Sequence, residues 1–166
     1  YTPCTINDAE YSIPLYQRLF EWGSENVAQL LDDLQSAFEK YIHVSSSTIS
    51  EIDPTEGDYY IGMLTSTVAD KSGEKLYLVD GQQRFTVMTL IGCVMQSYAR
   101  DSWRKFLLYR EKPRLSFISR KSDELYLIKL INQEFDYEGE LVNYKMKEAI
   151  KTVRDHMDKF QGDKEA

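Results

Sequence analysis

Between Lys75 and Ala99 the chain changes period abruptly, and that change limits what it can fold into. Lys75 to Val79 is a short apolar run with strand character, broken by Asp80-Gly81-Gln82-Gln83-Arg84. Phe85, Met88, Ile91, Gly92, Met95 and Ala99 then recur at helical spacing, and Leu90, Val94 and Tyr98 widen the apolar face until it runs nearly all round. A helix without a polar face has to be central and buried. The 166 residues, 42% of them hydrophobic, suffice for one compact domain around it. The expected fold class is α/β (α+β), a small mixed sheet with packed helices.

Other elements follow from the same rules. Ala9 to Pro14 reads as a short extended piece that Pro14 ends or places at an edge, with Leu15 to Trp22 as a loop. Ser24 is a good N-cap for a helix whose apolar residues run Val27, Leu30, Leu31, Leu34, Ala37, Phe38 and Tyr41. His43 to Asp58 is polar and reads as a loop. Tyr59 to Val68 is predicted to be a strand that pairs as a hairpin with Lys75–Val79 across the Lys71–Glu74 turn. Phe106–Leu108 and Arg114–Ile118 look like a third, shorter strand pair, and Ser122 or Asp123 caps a helix reaching Asn132. Gly139 to Phe160 is a mostly charged helix with Leu141, Tyr144, Met146, Ile150, Val153 and Met157 as its stripe, a face able to pack on a region outside this chain. These elements divide at residue 100, with a helical extension over 101–166 that contains the short strand pair. Both chain ends read as cuts in a longer parent protein.

A formal charge of −7 argues against a globally basic nucleic-acid binder. The charge is uneven. From Arg100 to Lys121 eight basic residues face only Asp101 and Glu111, which gives this stretch +6 and leaves −13 for the rest. Arg104, Lys105, Arg110, Lys112 and Arg114 are its candidate contacts to DNA, and the plainer alternative is a solvated surface. Cys4 and Cys93 have no metal-ligand spacing, and Cys93 sits in an apolar run as a buried reduced thiol. His43 and His156 are isolated, which leaves no zinc site and no Cys–His nucleophile pair. No apolar stretch reaches membrane-spanning length and no signal peptide opens the chain, so a cytoplasmic protein is expected.

Two segments carry candidate chemistry. In Ile13-Pro14-Leu15-Tyr16-Gln17-Arg18, Tyr16 offers a phenol and a ring face, Arg18 a forked donor for phosphate oxygens, and Phe20 or Trp22 a stacking surface. The alternative makes Tyr16, Phe20 and Trp22 core aromatics and Arg18 half of an ion pair. In Asp80-Gly81-Gln82-Gln83-Arg84 a strand ends, Gly81 permits a sharp turn and a helix starts, where backbone N–H groups attract anions. Arg84 adds a charge that opposes the helix dipole and so needs a phosphate or a carboxylate such as Asp80 beside it. Asp80 itself can ligate Mg²⁺ or orient water. The alternative is a helix capped by Asp80. This is not a Walker loop. If the first segment lies beside the second strand, Arg18 and Arg84 can converge on one anion.

These residues resemble the N-terminal domain family of GmrSD-type restriction endonucleases. The resemblance rests on Ile13 through Trp22, on Leu30-Leu31-Asp32-Asp33-Leu34, on Tyr60-Ile61-Gly62, on Asp80 through Thr86, and on the stretch from Pro113 to Ile131 with Arg114-Leu115 and Asp123. It implies a ParB/sulfiredoxin-like nucleotide-handling domain over residues 1–100. It also implies a nucleoside triphosphate with Mg²⁺ as ligand, and a parent chain that acts on modified foreign DNA through a separate C-terminal His-Asn-His nuclease domain. By position, Tyr16, Gln17, Arg18, Gly81 and Arg84 would bind the nucleotide, with Asp80, Gln82 and Gln83 as catalytic residues and Asp80 on the metal. No nuclease motif occurs in this chain.

Three readings stand at this stage. The favoured one is an NTP-binding and NTP-hydrolysing regulatory domain of a restriction and phage-defence protein, with Arg18 and Arg84 on phosphates and Gln82 or Gln83 orienting water. The second is a DNA-binding or sensing module without turnover, using the 100–121 stretch with Trp103 and Tyr109 for stacking. The third is a scaffold whose motifs are structural. Self-association as a homo-oligomer is left open by the sequence.

Overall fold

The computed structural model describes residue 6, residues 8–41 and residues 60–165. Four strands form the main sheet: β1 (Glu10–Ile13), β2 (Thr65–Val68), β3 (Lys75–Asp80) and β6 (Leu115–Phe117), in the order β2-β3-β1-β6. β1 runs parallel to both β3 and β6, and β2 closes one side antiparallel to β3. A separate two-residue ladder pairs β4 (Leu108–Tyr109) with β5 (Lys112–Pro113). The helices are α1 (Ser24–Tyr41), α2 (Gln82–Met95), α3 (Arg100–Leu107), α4 (Lys121–Ile131) and α5 (Tyr144–Glu165). The mixed α/β class is therefore as the sequence indicates. Cys4 and the His43–Asp58 loop lie outside the described residues, as does Tyr59.

α2 is the buried hub. Val87, Leu90 and Cys93 are fully buried, and the burial of Cys93 pushes its thiol pKa far up, as an inert core residue. The helix begins three residues before Phe85 and ends at Met95 rather than Ala99. Gly92 explains how a neighbour comes so close. Trp103, Phe106 and Leu107 of α3 stand where a side chain on Gly92 would press, so α3 packs directly on the α2 backbone.

That contact corrects one expectation. Phe106 and Leu107 are the last turn of α3 and not a strand, because Trp103, Phe106 and Leu107 share one face at helical spacing. Leu108–Tyr109 then pairs locally with Lys112–Pro113, while Leu115–Phe117 joins the main sheet beside β1. A second correction concerns the predicted strand from Tyr59 to Val68, of which only Thr65–Val68 is strand. Gly62 has φ +114, outside the extended region, and the Ile61 carbonyl is spent on Arg84 instead of a ladder partner. The Lys71–Glu74 turn and the hairpin it closes are present, with a register shift at Thr65/Ser66.

α1 starts where expected, but its capping carbonyl belongs to Gly23, which accepts from Val27 N–H while Gly23 N–H donates to Asn26 Oδ1. α4 starts at Lys121 with Arg120 in the cap position and no side-chain cap. α5 begins at Tyr144, and its apolar stripe is covered within this chain. Met146 and Val153 are fully buried and Ile150 nearly so, packed with α1 and α2, while Tyr144 points away at 80% exposure. Burying each such side chain stabilises the fold by roughly 1.5–3 kcal/mol. Thus the α5 face does not wait for a region elsewhere.

Candidate functional site

Because β3, β1 and β6 are parallel, their carboxyl ends open on one edge of the sheet, the edge where α/β sheets hold ligands. β3 ends at Asp80 and turns through Gly81 into α2, and β1 ends at Ile13 and leads into the Pro14–Gly23 loop. The two motif segments are therefore neighbours.

Side-chain amides hold them together. Gln17 Nε2 donates to the Val79 carbonyl (2.9 Å). Gln83 Nε2 donates to the Leu19 carbonyl (2.7 Å), and Gln83 Oε1 accepts from Glu21 N–H (2.9 Å). Gln83 thus treats the loop as a short strand, and both ends of its amide are engaged. Gln82 differs: it is buried, at 8% exposure, and its side chain makes no hydrogen bond among the described residues.

Gly81 has φ +85, a left-handed conformation that favours glycine. A Cβ there would also stand 2.8 Å from the Met63 carbonyl. The residue before the helix is therefore Gly81 and not Asp80, and no side chain caps the helix. Asp80 Oδ1 accepts instead from Gly81 N–H (2.8 Å). No acidic residue occupies the first turn of α2, so that turn brings no negative charge of its own to its first N–H groups and the positive end of its dipole.

Arg84 sits in that same turn. Its Nη1 donates to the Ile61 carbonyl (3.3 Å), and it makes no ion pair among the described residues. Asp80, the carboxylate expected beside it, is not its partner. Tyr60 to Leu64 crosses in front of this turn as a strap, and Gly62 lies against the Arg84 guanidinium where a Cβ would overlap it.

The N-terminal loop divides its aromatics. Phe20 is buried and Trp22 packs against the core, whereas Tyr16 is exposed. Arg18 is displayed, its side chain 77% exposed and only 3.9 Å from Glu21. Exposed apolar groups crowd this edge: Leu15, Tyr16 and Leu19 from the loop, with Tyr60, Met63 and Val79 beside Gly81 and Arg84. An exposed apolar rim around Arg18 and Arg84 marks a surface built to be covered.

Most of the basic stretch, from Arg100 to Arg114, lies at the other end of the strands. Arg110 pairs with Glu74 (2.6 Å) just before β3, and the Arg114 carbonyl accepts from Tyr11 N–H as β1 begins. A groove of about 560 Å³ there is lined by Arg104, Lys105, Tyr109 and Arg110 together with the acidic Asp101 and Glu111, and exposed Lys112 sits on β5 beside Tyr109. Arg110 and Glu111 both have positive φ, which makes the β4–β5 turn a tight two-residue hairpin. Arg114 is no surface contact. It is 3% exposed, and its guanidinium donates to the carbonyls of Phe106, Ile6, Ala9, Lys105 and Leu108 at 2.6–3.1 Å. It caps the carboxyl end of α3 and pins the residues before β1, and burial pulls its pKa below the ordinary value.

Sequence reasoning missed the strap residue Gly62 as part of the site. A glycine inside a β-prone run was the available signal, since it marks a close backbone approach. Among the described residues no three His, Cys, Asp or Glu side chains gather to hold a metal, and no helix is long and apolar enough to cross a membrane. A family model described as "GmrSD restriction endonuclease, N-terminal domain" matches residues 5–165. No curated protein matches the chain.

Proposed function

The chain belongs to the family of GmrSD restriction endonuclease N-terminal domains, and so to restriction and phage-defence proteins; from that membership and the carboxyl edge we propose that it binds and hydrolyses a nucleoside triphosphate. The observation that carries this reading is Arg84. A fixed cation at the positive end of an uncapped helix, with no carboxylate in ion-pair reach among the described residues, calls for an anion. Phosphate oxygens would accept from the N–H groups at the start of α2 and from the forks of Arg84 and Arg18. Asp80 would bring one carboxylate to a Mg²⁺–nucleotide complex, in which phosphates and water supply the other ligands. Tyr16 stands exposed beside Arg18, able to take a ring face.

Hydrolysis needs a group that orients water. Gln82 suits that role, because its amide has no hydrogen-bond partner among the described residues, whereas Gln83 and Gln17 engage theirs with the loop and with β3. We take the sheet to be of ParB/sulfiredoxin type and the nuclease to be a separate domain of the parent protein. A second element of the reading is contact with DNA through Arg104, Lys105, Arg110 and Lys112 at the amino edge, supported by the basic groove there.

Thermal unfolding with Mg²⁺ and each of ATP, GTP, CTP and UTP tests the reading. A ligand at a hundred times its Kd stabilises by about 2.7 kcal/mol, roughly 5–10 °C for a chain of this size. A rise of that order with at least one nucleotide is expected, and no rise with any of them would refute it.

A further inference from the structure

Each of the three parallel strands is followed at its carboxyl end by an arginine. Arg84 follows β3, Arg18 follows β1, and Arg120 follows β6. β1 lies between the other two, so at one strand spacing each the three chain ends stand within roughly 10 Å. The Ile118 N–H donates to the Ile13 carbonyl (3.2 Å), which keeps the exits of β6 and β1 side by side.

Arg120 is held more firmly than a surface arginine. Its side chain is 16% exposed, its guanidinium lies over the Phe117 ring at 5.2 Å, and its Nε is 3.7 Å from Asp123 Oδ2. Asp123 is 8% exposed, and its other oxygen accepts from Asn143 Nδ2 (2.9 Å). Even so, the Arg120 side chain makes no hydrogen bond among the described residues. The buried side-chain polar atoms without a hydrogen-bond partner there are Arg120 Nη1, Asp123 Oδ2 and Tyr126 Oη. These three residues follow one another at a spacing of three, along one face at the start of α4. Buried donors and acceptors are nearly always matched, and unmatched ones point to a ligand or a chemical role.

We propose that Arg120, steered by Asp123, is the third arginine of the nucleotide site and the one that distinguishes three phosphates from two. This rests on the nucleotide reading above. The polyphosphate would lie along the carboxyl edge from α2 and Arg84, past Arg18, to Arg120. A shorter chain of phosphates would stop before Arg120.

Calorimetric titration with Mg²⁺ and inorganic triphosphate or pyrophosphate tests this without reference to the base. Wild type is expected to bind triphosphate more tightly than pyrophosphate. Arg120→Ala should weaken triphosphate tenfold or more and leave pyrophosphate nearly unchanged, which removes the preference. Arg120→Lys, which keeps the charge and loses the fork, should lose part of it, and it replaces the alanine variant if that one unfolds. Asp123→Asn should reduce the preference several-fold while pyrophosphate affinity holds. If Arg84→Ala abolishes binding of both ligands and Arg120→Ala or Arg120→Lys binds both like wild type, Arg120 is outside the site and only this inference falls. If wild type binds neither these ligands nor any nucleoside triphosphate, the nucleotide reading itself falls, and this inference with it.

Discussion

Gly62 lies against the guanidinium of Arg84 with no room for a Cβ between them. The strap from Tyr60 to Leu64 and the first turn of α2 are therefore one unit, and Ile61 fixes it by accepting from Arg84 Nη1. Gly62→Ala should displace the flexible guanidinium and strain a backbone at φ +114, a cost of about 1–3 kcal/mol. Nucleotide affinity should drop together with the unfolding midpoint. Gly81→Ala should be worse, because its Cβ would meet the Met63 carbonyl, a backbone atom that cannot swing aside. Thermal unfolding and calorimetry on the two variants check this order.

The two glutamines of the turn should separate by assay. Gln83→Ala removes both hydrogen bonds to the Leu19–Glu21 backbone and should cost about 1–3 kcal/mol in urea unfolding, with nucleotide binding weakened through a loosened Arg18 loop. Gln82→Ala should bind nucleotide nearly as wild type and lose turnover by about a hundredfold or more. A Gln82 variant with full turnover would remove that residue from the chemistry.

Arg114→Ala should destabilise the fold by about 3 kcal/mol, since it strips five backbone carbonyls, all at least partly buried, of a charged donor. Arg114→Lys should recover little of it, because one ammonium cannot replace the planar fork. Urea midpoints decide the matter. By contrast, replacing Arg104, Lys105 and Arg110 together should leave stability nearly intact and flatten the salt dependence of any DNA binding.

The pH dependence of stability has a local contributor at Glu148. Its carboxyl is held below the ordinary value of 4.5, first by Lys145 and then by the Ser24 N–H at the start of α1. A carboxylate with a depressed pKa stabilises the fold above its unfolded value and ceases to as pH falls through its folded value. Glu148→Gln should lower the unfolding midpoint at pH 7, and the gap to wild type should close as pH falls below the ordinary carboxylate range. A gap that persists in acid would place the effect in packing.

The sequence made the helices and their order readable wherever periodicity was strong. α1 spans the Ser24–Tyr41 residues that its stripe marks out, and α2 follows the Asp80–Arg84 break. It failed where a tertiary contact decides. α3 is charged over most of its surface, and only the bare backbone of Gly92 shows why its aromatic face belongs to a helix. β6 looks like half of a local hairpin until β1 is known to lie beside it. At the site, proximity of the Gln17 and Gln83 segments could be conjectured from the motifs, but the direction of the bonds could not. Nothing in the spelling says that Gln83, and not Gln82, serves the loop. Arg114 and Arg120 are both basic residues of one stretch, yet the first is an internal cap and the second stands at the opposite edge of the sheet.

The most direct test of the account follows the backbone amides of Gln82, Gln83 and Arg84 by nitrogen–proton NMR during titration with Mg²⁺ and each of the four nucleoside triphosphates. With the nucleotide that binds, the largest shifts are expected on these three amides and on Gly81, and Arg84→Ala should remove them. Shifts confined to the Tyr109–Lys112 hairpin, or no saturable shift with any nucleotide, would contradict it.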